Sequence, residues 1–163
     1  MKIKLFAAAV VGTLGALTGA APAHDFKLGD LAIEHPSVRA TPPNAVTGAG
    51  YVTIRNSGTS PDRLVGVEAG FAARVEIHET AMQGNVMRMR RAEGGLEIPP
   101  GGAVTLAPGG YHLMFIGLGG QLRAGDRLEG VLLFEKAGAA SIEFAVEGAP
   151  RGPAHGTEGG SPR

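Results

Sequence analysis

The sequence contains no cysteine. That excludes disulfide staples, thiol–disulfide chemistry and every thiolate metal site, the His-Cys-His blue-copper centre included. It also lacks a charge bias, with 15 basic and 15 acidic side chains. Without Lys2 and Lys4 the balance is 13 against 15, a formal charge of −2. A nucleic-acid footprint would need a clustered basic excess. The one basic run, Arg88, Arg90 and Arg91, reads as a solvated strand edge. Long apolar runs are missing too: residues 5–17 form an apolar stretch too short, and wrongly flanked, to span a bilayer. Helical periodicity is absent as well, since no segment repeats apolar residues at a 3.6-residue spacing over a dozen positions.

The short apolar stretch has a different reading. Lys2 and Lys4 precede it and the small-x-small triplet Ala21-Pro22-Ala23 follows it, as in an export signal. Residues 1–23 are therefore expected to be a cleaved signal peptide, with the mature chain starting at His24. Residues 24–148 are read as one domain. The stretch 149–163, rich in glycine and proline and without an aliphatic side chain larger than alanine, is expected to be a disordered tail.

Within that domain the 27 glycines and 11 prolines of the chain punctuate short Val/Ile/Leu runs. Alternation at Tyr51–Ile54 and at Arg74–His78 marks half-buried strands. Turn signals fall at Thr41–Asn44, Ser57-Gly58, Pro99–Gly102, Pro108–Gly110 and Gly119-Gly120. Strands are expected near 27–33, 48–56, 62–68, 73–80, 86–91, 103–106, 111–117, 127–135 and 140–147. Eight or nine strands of this kind predict an all-β, two-sheet sandwich with Greek-key connections.

The methionines are unevenly placed. Apart from Met1, all of them (Met82, Met87, Met89 and Met114) lie between His78 and Met114, a stretch that also contains His112. A hairpin closed symmetrically about Gln83-Gly84 would set His78 directly opposite Met89, on one face of the sheet. A one-residue slip would break that arrangement. On the strand around Tyr111–Phe115, His112 and Met114 share a face, while Tyr111, Leu113 and Phe115 point the other way, toward the core. His78, Met89, His112 and Met114 thus form a candidate N2S2 set pushed outward near an open end of the sandwich. Neutral thioether and imidazole donors, with no carboxylate or thiolate among them, select copper(I) over zinc, magnesium or calcium. Met87, on the face of Met89, is the reserve ligand; Met82 and Met87 otherwise read as turn and packing residues.

At these residues the chain resembles the periplasmic copper chaperones of the PCu(A)C family, whose hallmark is a histidine, a spaced methionine and a closing His-x-Met. Here the two gaps are ten and 22 residues, the second one residue longer than is usual. The likeness extends over roughly residues 31–147. It takes in Arg39–Pro43, Gly50–Asn56, Asp62–Val65, Val86–Arg90, Ile98–Gly102, Pro108–Met114 and Leu132–Glu135. Ser37 departs from it, standing after His35-Pro36 where the family tends to have tryptophan. The resemblance implies a cupredoxin-like β-sandwich that binds copper(I) through His78, Met89, His112 and Met114. It further implies a non-enzymatic carrier in the periplasm that delivers copper to subunit II of cytochrome c oxidase, at its CuA centre, alongside Sco-type thiol proteins.

Three other readings compete. The amine and ring of a mature N-terminal His24 could chelate copper(II) at a weaker second site, or act as the brace of a copper enzyme. The chain could scavenge or store copper. A metal-free adhesion or scaffold module is the third. Of histidine and methionine the tail offers only His155, and His35 reads as structural.

Overall fold

The computed structural model describes residues 25–148. The expected signal peptide, His24, His155 and the tail from residue 149 lie outside the described residues. Eleven strands and no helix make up the described chain. In order they are β1 (Phe26–Leu28), β2 (Leu31–Arg39), β3 (Thr47–Asn56), β4 (Asp62–Glu68), β5 (Ala72–Gln83) and β6 (Val86–Arg91), followed by β7 (Leu96–Ile98), β8 (Ala103–Leu106), β9 (Tyr111–Leu118), β10 (Arg127–Phe134) and β11 (Gly138–Glu147).

The all-β reading holds for the described residues. The strands form one continuous hydrogen-bonded path, β6-β5-β9-β3-β2-β11-β10-β4-β7, with β1 added on β2 and β8 on β3. The layers expected as two sheets are therefore one sheet turned back on itself. The turn is made in β2. Its first half pairs with β1 and β3, and its second half also pairs in parallel with β11. Between the halves the register shifts at Glu34/Ser37, and His35 takes a left-handed φ of 50°. Pro36 sits at this bulge, where a missing N–H costs no ladder bond. A run broken by Glu34, His35 and Pro36 reads as a strand end, which is why the sequence expectation stopped at residue 33. Gly29, with φ 58°, divides β1 from β2 where a single strand was expected, and the three-residue β7 was not anticipated.

The core lies between the facing parts of this sheet. Phe115 of β9 packs edge-on against Phe144 of β11 at 5.5 Å and stacks on Phe71 at 4.9 Å. Phe115, Phe144, Leu113, Ile33, Ile54, Leu64, Leu132 and Ile98 are completely buried. Gly50 makes room for this cluster: a Cβ there would stand 2.6 Å from Phe115 Cε2. Asp62, at the start of β4, is buried against the β10–β11 turn. Its carboxylate accepts N–H bonds from Arg63, Lys136 and Ala137 at 2.7–3.0 Å. Burial pushes its carboxyl up, but the three backbone donors and the Lys136 charge outweigh that and hold it below the usual range.

For the site, β9 is the decisive strand. It lies between β5 and β3, with Leu113 and Phe115 directed into the core. Period-2 alternation then turns His112 and Met114 to the opposite side of the sheet.

Candidate metal centre

β5 pairs with β9 so that His78 faces His112 and Glu76 faces Met114. On its other edge β5 pairs with β6, with His78 opposite Arg91, Thr80 opposite Met89 and Met82 opposite Met87. This corrects the expected register. The loop is two residues, Gly84-Asn85, between the paired Gln83 and Val86, and Gly84 has φ 62°. Glycine first in a two-residue loop is the signature of a type II′ hairpin turn, a cue present in the sequence. The pairing is displaced by two residues from the symmetric expectation. Because the side-chain period is also two, Met89 stays on the face of His78, diagonal to it rather than opposed. All four candidate ligands thus share the outer face of the β6-β5-β9 layer.

The two histidine rings lie 5.9 Å apart, centre to centre, at 63°. With a metal–nitrogen bond of about 2 Å, and about 1 Å more to each ring centre, two imidazoles on one ion can be up to about 6 Å apart. One ion can therefore join them. The hydrogen bonds also settle which nitrogens are available. His78 Nε2 lies 2.9 Å from Glu76 Oε2. A carboxylate only accepts, so Nε2 carries the proton and Nδ1 holds the lone pair. That Nδ1 is buried and has no hydrogen-bond partner. A buried polar atom without a partner is costly and calls for an explanation, and an ion supplies one. His112 has the opposite arrangement: Nδ1 donates to the Gly110 carbonyl at 3.1 Å, which leaves Nε2 as the lone-pair nitrogen of the neutral ring. The same carbonyl accepts the Thr80 N–H at 3.0 Å, tying β5 to the β8–β9 turn.

Three expectations need correction. His112 is not held out in solvent; it is 6% exposed. The site does include a carboxylate. Glu76 shares the outer face, faces Met114 and bonds His78. Bonds from His78 and then Arg74, with Arg91 nearby, hold its carboxyl below the usual carboxylate range. The i, i+2 spacing of Glu76 and His78 on a strand was the signal that could have revealed it. Third, Met82 and Met87 are not packing residues. They are 61% and 67% exposed, and Met89 is 54% exposed. Met114 is half-buried on β9, opposite Glu76 and on the far side of the histidine pair from these three. The basic run behaves as expected: β6 is an exposed edge strand, and Arg90 pairs with Glu79 at 2.6 Å.

Among the described residues, no three His, Cys, Asp or Glu side chains are placed to hold a metal ion. A centre here would have to recruit the thioethers.

Residues 31–146 match the family described as "Putative lipoprotein LpqE-like". The chain belongs to this family. A curated relative, "Putative lipoprotein Lxx21020" of Leifsonia xyli subsp. xyli, is 30% identical to this LpqE-like chain over 99 residues, 61% of the chain and 60% of the relative's own length. Solved structures also resemble it. The "Copper-bound PCuAC domain from PmoF2" is 34% identical with a TM-score of 0.68, covering 77% of this chain and 99% of its own. The "Apo PCuAC domain from PmoF1" is 32% identical with a TM-score of 0.66, covering 77% of this chain and 100% of its own. "Solution structure of CuI-DR1885 from Deinococcus Radiodurans" is 26% identical with a TM-score of 0.55, covering 77% and 81%. The LpqE-like chain is thus of PCuAC type in fold and family.

Proposed function

We propose that this protein is a copper(I) carrier, with His78 Nδ1, His112 Nε2 and the sulfurs of Met114 and Met89 as its ligands. The observation that carries the reading is the buried, unpartnered Nδ1 of His78 within one ion's reach of the His112 ring. Copper in the PmoF2 domain and copper(I) in DR1885 support the choice of ion. Glu76 would serve as the outer partner that fixes the His78 tautomer, a role carboxylates commonly play behind ligating histidines. Soft thioether donors would hold the ion in its copper(I) state, which suits transport rather than turnover. Met89 lies on an exposed edge hairpin, so one ligand can be withdrawn when an acceptor offers its own.

On this reading the protein works outside the cytoplasm, in the periplasm. It would pass copper to the CuA centre of cytochrome c oxidase subunit II, with Sco-type thiol proteins as co-workers. The lipoprotein descriptions of its relatives support export.

An anaerobic copper(I) titration against a chromophoric competitor tests the proposal, combined with X-ray absorption that counts nitrogen and sulfur neighbours. The expected result is one tightly held ion with a mixed N/S shell. An affinity unchanged by His78→Ala/His112→Ala would overturn it.

A further inference from the structure

The β5–β6 hairpin carries more sulfur than the centre above uses. Met82 and Met87 are directly opposed, and Met89 follows two residues along β6 on the same face. All three are more than half exposed, so none is filling the core. Exposing three large apolar side chains on one small hairpin face needs a reason other than packing. We propose that Met82, Met87 and Met89 form a second, all-thioether site for a soft monovalent cation, which shares Met89 with the histidine centre.

The geometry permits it. Opposed residues on a ladder have Cβ atoms about 4.5–5.5 Å apart, and diagonal ones about 7–8 Å. Methionine's unbranched, three-bond side chain lets the sulfurs gather on one ion while the ladder stays intact. The donor set is neutral and soft, which selects copper(I) or silver(I) over zinc, calcium or magnesium. Arg91, the β6 cation on this face, is turned toward Glu76 at 3.9 Å, and Arg88 and Arg90 alternate to the other face. An ion landing on the exposed triad could pass inward by exchanging Met82 and Met87 for His78, His112 and Met114, with Met89 held throughout. This last step rests on the carrier reading; the triad itself does not.

The full-length protein, labelled with carbon-13 at its methionine methyls, is titrated with silver(I), a redox-inert stand-in for copper(I). It is compared with His78→Ala/His112→Ala and with Met82→Leu/Met87→Leu, exposed substitutions that keep size and apolarity. In the histidine variant the Met82, Met87 and Met89 methyls should still shift together. In the leucine variant the ion reported by Met114 and the histidine rings should remain, and combining the two variants should abolish tight binding. If the Met82 and Met87 methyls stay unmoved in the histidine variant, or the combined variant binds silver(I) as tightly as the histidine variant, the triad is not a site. Failure of the carrier reading looks different: the histidine rings of the wild-type protein stay unmoved while Met82 and Met87 shift.

Discussion

Replacing Glu76 tests the chemistry of the centre more sharply than replacing a ligand. The carboxylate accepts the His78 Nε2–H at 2.9 Å and faces Met114 across the ladder. It therefore sets both the tautomer and the tilt of a ring whose Nδ1 is buried and unpartnered. In Glu76→Gln the amide oxygen can still accept that proton, so the tautomer survives and only the charge is lost. In Glu76→Ala neither survives, and the ring is free to protonate at Nδ1, which blocks the ligand. Loss of such an outer partner typically lowers metal affinity by about 10- to 100-fold. The alanine variant should fall in that range and the glutamine variant at or below its lower end. Competition with a copper(I) chelator measures the affinities, and long-range nitrogen-15 spectra of the apo protein report the His78 tautomer. If apo His78 is protonated at Nδ1, or if Glu76→Ala binds copper(I) as tightly as wild type, the tautomer argument is wrong.

Other consequences follow from the same structure. Asp62 has its carboxyl lowered below the ordinary 3.8, so its stabilisation is fully present above that value and is lost as pH falls through the folded-state pKa. Asp62→Asn should accordingly cost about 1–3 kcal/mol at neutral pH, from unsatisfied backbone donors. Urea unfolding at pH 7 and near pH 3 should show the difference shrinking in acid. Phe115→Ala, at the completely buried centre of the Phe71–Phe115–Phe144 cluster, should destabilise by about 3–5 kcal/mol in the same assay, and a loss under 1 kcal/mol would contradict the packing described. Gly50→Ala should destabilise as well, by about 1–3 kcal/mol, because its Cβ would intrude on the Phe115 ring. Peroxide should oxidise the exposed Met82, Met87 and Met89 first, and mass spectrometry should find copper(I) affinity falling as Met89 sulfoxide accumulates, since a sulfoxide is no longer a soft sulfur donor.

The composition and spacing by themselves determined an all-β chain without thiols and the face on which each candidate ligand stands. Alternation is a local property: Leu113 and Phe115 are apolar, so His112 and Met114 must turn away from the core whatever the rest of the chain does. For the same reason a two-residue error in the β5–β6 register left His78 and Met89 on a common face. Other features depended on which strands became neighbours. That β5 lies beside β9 brings His78 to His112 across 34 residues of chain, a pairing no local pattern encodes. The burial of His112, the proton placed on Nε2 of one ring and Nδ1 of the other, and the lone pair left without a partner at His78 come from those neighbours too. Glu76 shows the division most plainly: its spacing to His78 and Arg74 on one strand was readable, but the Arg91 charge near it and the Met114 it faces come from neighbouring strands.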